Sequence, residues 1–222
     1  RGDWLADKQS GQGIYTFSDG GTYEGTFLDG MRHGQGKLNS AKMTYEGEWV
    51  QGRREGQGHV ILVDLYGREE YTGTFLNNRY HGQGRWRYER DSIATEYEGN
   101  WTDGHRIGAG HYRIHGREME GEWELDEATG IGRSEDAAGK YEGAFYRGFY
   151  QGKGTLSYVN GDRYEGGWMR GMRQGSGTCY YKDGSRYEGE WHMDLWNGQG
   201  KLIRPDGSVQ AGFFRDGKLV EP

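Results

Sequence analysis

Apolar and polar positions alternate with a period of two in short stretches that recur along the whole chain of 222 residues. In Tyr164-Glu165-Gly166-Gly167-Trp168 the alternation puts Tyr164, Gly166 and Trp168 on one face and Glu165 on the other. In Gly154-Thr155-Leu156-Ser157-Tyr158 it puts Gly154, Leu156 and Tyr158 together, with Thr155 and Ser157 opposite. Each stretch predicts a strand. Asn160-Gly161 between them predicts a hairpin turn of type I′, whose two central residues need positive φ, and Asp19-Gly20, Asp183-Gly184 and Asp206-Gly207 repeat the signal. The other connection carries Arg170-Gly171, echoed by Asp29-Gly30, Gln51-Gly52, Asp103-Gly104 and Arg147-Gly148.

The pattern is a repeat. An aromatic residue stands two positions after a glycine at Trp4, Phe27, Trp49, Phe75, Trp101, Trp123, Phe145, Trp168, Trp191 and Phe214. Seven residues after each of the first nine comes the first glycine of a Gly-x-Gly: Gly11, Gly34, Gly56, Gly82, Gly108, Gly130, Gly152, Gly175 and Gly198. That offset is constant, whereas the gap from the second glycine to the next tyrosine varies, from Gly36-to-Tyr45 up to Gly58-to-Tyr71. Constant and variable segments alternate in this way when stacked supersecondary units tolerate insertion on one side. The expected architecture is all-β: an elongated single-layer antiparallel meander of about nine stacked β-hairpins, residues 1–222 forming one continuous array. Glycines on the aromatic face let rings lie over the backbone, which predicts a twisted ribbon with an aromatic-lined groove.

Composition sharpens this. Forty-three glycines without a Gly-x-y period exclude collagen. A mean hydropathy of -1.06 would suggest disorder, but 8 Trp, 17 Tyr and 7 Phe carry the apolar surface instead. One cysteine, Cys179, excludes an internal disulfide framework and fits a reducing compartment. No apolar run approaches the ~20 residues of a membrane-spanning helix. A net charge of -6 gives no support for nucleic-acid binding. The chain opens in mid-repeat without an initiator methionine, so further repeats are expected before it.

The recurring Tyr-Glu-Gly-x-Trp/Phe followed by Gly-x-Gly resembles the MORN repeat (membrane occupation and recognition nexus), and the resemblance covers almost the whole chain. It implies the single-layer hairpin sheet already read from the spacing. It also implies scaffold roles in cytoskeletal and ciliary assemblies, targeting roles in junctional membrane proteins, or an accessory domain of a larger enzyme. Some members dimerise end to end, and the weakened last repeat, Gln210 to Phe214, would offer Ser208 to Phe214 as an edge for a homodimer.

Catalytic chemistry is not indicated. No nucleophile-elbow, phosphate-loop or zincin motif occurs, and the Gly-x-Gly elements open strands rather than the helix a dinucleotide site needs. The seven histidines lack paired cysteines, so no metal site or cofactor is expected. The expected function is a non-enzymatic scaffold that receives a segment of a partner protein, a cytoskeletal or ciliary component of the cytoplasm, in its aromatic groove. The candidate contacts are Tyr23, Phe27, Tyr45, Trp49, Tyr97, Trp101, Tyr141, Phe145, Tyr164, Trp168, Tyr187 and Trp191, those nearest the middle of the array mainly structural at their bases and exposed at their tips. Arg32, Arg53, Arg54, Arg79, Arg106, Arg147 and Arg173 recur after the aromatic strands and suggest an edge for acidic protein segments or, as the alternative, phospholipid headgroups. The two longest connections, Gly58 to Tyr71 and Gly84 to Tyr97, predict a partly apolar protrusion bearing Val63, Leu65, Tyr66 and Ile93. Most degenerate is the repeat with Met119 in place of tyrosine, where Glu118, Glu120, Glu122 and Glu124 alternate on one face, open to solvent, a cation or a basic partner.

Overall fold

The computed structural model describes residues 2–220, and among them every regular element is a β-strand. The chain divides into two compact units, Arg1–His115 and Gly116–Pro222. The first holds β1 (Gly2–Leu5), β2 (Lys8–Thr16), β3 (Thr22–Leu28), β4 (Met31–Asn39), β5 (Met43–Val50), β6 (Arg53–Val63), β7 (Arg68–Leu76), β8 (Arg79–Arg90), β9 (Ile93–Thr102) and β10 (His105–Ile114). The second holds β11 (Arg117–Glu124), β12 (Glu127–Asp136), β13 (Gly139–Tyr146), β14 (Phe149–Tyr158), β15 (Arg163–Met169), β16 (Met172–Tyr180), β17 (Arg186–His192), β18 (Leu195–Ile203), β19 (Val209–Arg215) and β20 (Lys218–Leu219). Within each unit every strand pairs antiparallel with its successor, so both are meanders of the expected kind.

One device recurs in the hairpins closed by the short turns. Between β3 and β4 the register runs Gly25↔Gly36 and then Thr26↔His33, so Gly34 and Gln35 bulge out of the ladder as two extra residues. The same slip follows Gly47 in β5, Gly73 in β7, Gly121 in β11, Gly143 in β13, Gly166 in β15 and Gly189 in β17. The first glycine of each Gly-x-Gly sits in the bulge at positive φ, from 57° at Gly56 to 106° at Gly198, which side chains disfavour. The second glycine serves a different need: a Cβ on Gly36 would collide with the ring of Tyr23, and one on Gly177 with that of Tyr164. The bulge frees a carbonyl, and the same tyrosine satisfies it. Tyr23 Oη donates to Thr26 O at 3.1 Å, Tyr45 Oη to Glu48 O at 3.0 Å, Tyr141 Oη to Ala144 O at 2.9 Å and Tyr164 Oη to Gly167 O at 3.0 Å.

The turns correct part of the sequence reading. The connections after the aromatic strands have both central residues at positive φ, including Asp29-Gly30 at 52° and 78°. The Asn160-Gly161 turn is not of type I′: only Gly161 has positive φ, and Tyr158 N bonds Asp162 O across a longer loop. The Asn160 side chain accepts from Asp162 N at 2.9 Å and so holds a local turn that leaves Asn160 at negative φ. Asp19, Asp183 and Asp206 do likewise. The predicted protrusion is mostly strand. Gly58 to Tyr71 is absorbed by lengthening β6 and β7, and Gly84 to Tyr97 by lengthening β8 and β9. Val63 and Ile93 are therefore strand residues, and only Leu65, 98% exposed, and Tyr66 stand in a loop. The expected dimer edge is narrower than Ser208 to Phe214, because β20 pairs with β19 at Phe214 and Arg215.

Candidate interaction face

The rings form a layer on one face of each unit. Each tyrosine meets the aromatic four residues later edge to face, Tyr23–Phe27 at 5.0 Å and Tyr164–Trp168 at 5.1 Å between centroids. Within each unit tyrosines also meet the aromatic of the next repeat, Tyr23–Trp49 at 5.6 Å and Tyr164–Trp191 at 5.2 Å. Such edge-to-face pairs contribute about 0.5–1.5 kcal/mol each beyond area burial. The indoles add a bond to the neighbouring strand: Trp49 Nε1 donates to Gly36 O and Trp191 Nε1 to Gly177 O.

This layer is closed. Tyr23, Tyr45, Tyr97, Tyr141, Tyr164 and Tyr187 are 0–1% exposed, and Phe27, Trp49, Trp101, Phe145, Trp168 and Trp191 are 2–6% exposed. The expectation of exposed tips is corrected: the rings cover one another, and what covers the remainder is the residue five positions after each aromatic. At that offset Arg32 lies over Trp49 at 4.0 Å, Arg54 over Phe75 at 5.1 Å and Arg173 over Trp191 at 4.3 Å, while Arg106 lies over Tyr97 at 5.5 Å. Three repeats without arginine place a ring there. Tyr80 stacks on Tyr71 at 3.9 Å, Tyr150 on Tyr141 at 3.7 Å and Trp196 on Tyr187 at 4.5 Å, all nearly parallel. A guanidinium and an aromatic ring are both planar and serve the same packing role.

The arginines read as one edge therefore separate. Arg32, Arg54, Arg106 and Arg173 lie on the ring layer, whereas Arg53, Arg79 and Arg147 are exposed near the short turns. Arg53 donates to Asn77, Arg79 is 4.0 Å from Asp103 and Arg147 is 3.2 Å from Glu127. The opposite face carries the glutamate row with its cross-strand cations, Lys37–Glu46, Lys201–Glu188 and Arg133–Glu120. On the lengthened strands it carries Glu96 with Arg87, Arg85 and Arg113.

Above the ring layer lie half-buried aromatics that the repeat pattern does not single out. In the first unit Trp86 and Tyr88 stack, and Trp86 Nε1 and Tyr80 Oη both donate to Glu69. In the second unit Tyr158, Tyr181 and Trp196, with Cys179, Arg173, Asp162 and Asp194, line an open-sided cleft of about 460 Å³. A neighbouring cleft of about 570 Å³ shares Asp162, Tyr181 and Trp196. Trp196 Nε1 donates to Tyr181 Oη at 3.2 Å, and burial raises the pKa values of Tyr158, Tyr181 and Cys179 above their ordinary range.

The MORN repeat model matches residues 1–22, 23–42, 45–64, 71–91, 97–114, 141–163, 164–186 and 187–209, most of the chain. The chain is a MORN-repeat protein. The unmatched span from 115 to 140 contains the repeat in which Met119 replaces tyrosine. Among curated proteins, the chain is 49% identical to Alsin of Homo sapiens and to Alsin of Rattus norvegicus over 43 residues, 19% of this chain and 3% of Alsin. The match thus spans a small fraction of those relatives' length.

Proposed function

We propose that this MORN array is a non-enzymatic protein-interaction module whose ring face receives a segment of a partner protein. The observation that supports this is the half-buried aromatic tier, Trp86 and Tyr88 in one unit and Tyr158 and Tyr181 in the other, standing over a ring layer that is already complete without it. Half-exposed aromatics with polar handles supply large contact area at low entropic cost. The partner expected from the family is a cytoskeletal or ciliary component of the cytoplasm. A photo-reactive residue at position 88 or 181 should cross-link partner peptides in cell extract, and one at Glu165 or Glu188 on the opposite face should not. Cross-links confined to the opposite face would sink this assignment.

A second reading, docking on acidic phospholipid, draws on exposed Leu28, Met31, Val50 and Leu76 beside Arg53 and Arg79 near the short turns of the first unit. Sedimentation with anionic vesicles at physiological salt, lost in Arg53→Glu/Arg79→Glu, is the result it requires.

A further inference from the structure

We infer that the cleft of the second unit binds an arginine side chain carried on an extended segment of the partner protein. This rests on the interaction reading above and names the chemistry of the occupant. The chain itself shows how its ring face holds a guanidinium. Arg32 stacks on Trp49 and donates to Gly52 O at 3.0 Å, Arg54 lies over Phe75 and donates to Asn78 O at 2.9 Å, and Arg173 stacks on Trp191 and donates to Asp194 O at 2.9 Å. In each case the acceptor is the third residue after the aromatic that the arginine covers. The next member of the series is Gly217, third after Phe214, and it lines the cleft. Its repeat has Trp196 where the arginine would be, and the indole N–H of Trp196 is directed to Tyr181. This repeat therefore supplies no guanidinium of its own, and the half-buried Trp196 is the ring it presents to the cleft.

Charge completes the argument. Two carboxylates and one cation line the cleft, and the cation is already satisfied, since Arg173 Nε bonds Asp194 Oδ1 at 3.0 Å. Asp162 accepts only from neutral donors, Lys182 N and Asn160 Nδ2, both at 2.8 Å, and makes no ion pair among the described residues. The neighbouring cleft, which shares Asp162, adds Asp183, Lys182 and Arg204, and Lys182 meets Asp162 through its backbone N–H and not through its ammonium in a bonded pair. A half-buried carboxylate beside the planes of Trp196, Tyr158 and Tyr181 selects a planar cation, for which stacking and charge act together.

The test uses the full chain and three pentapeptides, acetyl-Gly-Ser-X-Ser-Gly-amide with X as arginine, citrulline or phenylalanine, followed by amide and indole NMR. The arginine peptide should shift the Trp196 indole and Gly217 amide signals saturably and bind about tenfold more tightly than the citrulline peptide. Asp162→Asn should bring arginine binding down to the citrulline level, and Glu165→Gln, on the opposite face, should leave it unchanged. Spectra matching the parent away from the cleft establish that both variants fold. Equal binding of all three peptides, or arginine binding indifferent to Asp162→Asn, would overturn the guanidinium assignment while leaving the interaction reading in place. If no peptide moved any ring-face signal, both would fall.

Discussion

Two repeats of the second unit, one built on Tyr164 and one on Met119, differ in ways that separate the jobs of the motif. Around Tyr164 the phenol caps the carbonyl freed by the bulge, the ring fills the space left by Gly166 and Gly177, and Arg173 reaches from the same repeat over Trp191. Around Met119 no phenol is available, the position equivalent to Arg173 is Ala128, and the short turn is Leu125-Asp126 without glycine. Yet the bulge is present, Gly130 holds φ at 65°, and Leu125 and Asp126 both take positive φ. The backbone device therefore survives loss of the ring, the arginine and the turn glycine. Those three stabilise a geometry that neighbouring strands can also impose.

Alkali should separate the two repeats most strongly. Burial, with Glu190 adding to it, pushes the Tyr187 phenol up to about 12, and burial also raises Tyr141 and Tyr164, against an ordinary value of 10.0. Above pH 10 the unfolded chain releases phenolic protons that the folded chain retains, so the stability from these tyrosines is complete below 10 and is lost as pH rises towards about 12. Tyrosinate absorbance should appear together with loss of the circular dichroism of the sheet. Ionisation of all tyrosines with the sheet intact would refute the closed ring layer. Protection of the amides in β11 and β12, taken relative to the base-catalysed intrinsic rate, should fall only as the neighbouring strands open, because Met119 has nothing to ionise.

Next in size is a glycine pair. Gly166→Ala drives a methyl into the Tyr164 ring and should cost about 3 kcal/mol in urea unfolding. Gly121→Ala meets nothing closer than Gly132 Cα at 3.0 Å and should cost about 1 kcal/mol. Equal losses would mean that backbone approach, and not the ring, requires glycine in the regular repeat.

How much of this was legible beforehand follows from the range of each interaction. Alternation in Tyr164 to Trp168 is local, so the strand, its inward face and the meander could be read directly. The bulge could not, because a slip at Gly166 depends on which residue of β16 lies opposite, and the phenol-to-carbonyl bond that fixes it is invisible to periodicity. Charge alone points Arg32, Arg54 and Arg173 to an edge for acidic protein segments or phospholipid headgroups. The offset they share with Tyr80, Tyr150 and Trp196 is a sequence signal of the planar slot, one that charge alone does not carry. Sequence alone makes Asn160 a turn former through φ, whereas its side chain acts by accepting from Asp162 N. In the long connections the apolar run Val60-Ile61-Leu62-Val63 already favoured a longer strand over a protruding loop.

The slot itself yields a smaller effect. Arg173→Ala gives the regular repeat the side chain that the degenerate one has at Ala128, and removes the stack on Trp191 together with the bonds to Asp194; a loss of about 2 kcal/mol is expected. Arg173→Tyr should cost less than about 1 kcal/mol, because Tyr150 occupies the equivalent place one repeat earlier. If alanine and tyrosine proved equally damaging, planarity would not be the property this position selects.

The smallest change runs in the stabilising direction and acts on the degenerate repeat alone. Leu125 holds φ at 46° with 66% of its surface exposed, so it bears the strain of the left-handed region with little burial to offset it. Asparagine tolerates that region because its short polar side chain bonds locally, and the regular repeats use polar residues such as Asp29, Gln51 and Asp103 at the same place. Leu125→Asn should therefore stabilise the second unit by about 1 kcal/mol, seen as slower hydrogen exchange at Glu124 and Glu127, which pair across the turn. A destabilised variant would place Leu125 in a contact worth more than the strain it carries, and the degenerate turn would then owe its conformation to packing rather than to imposition by the adjoining strands.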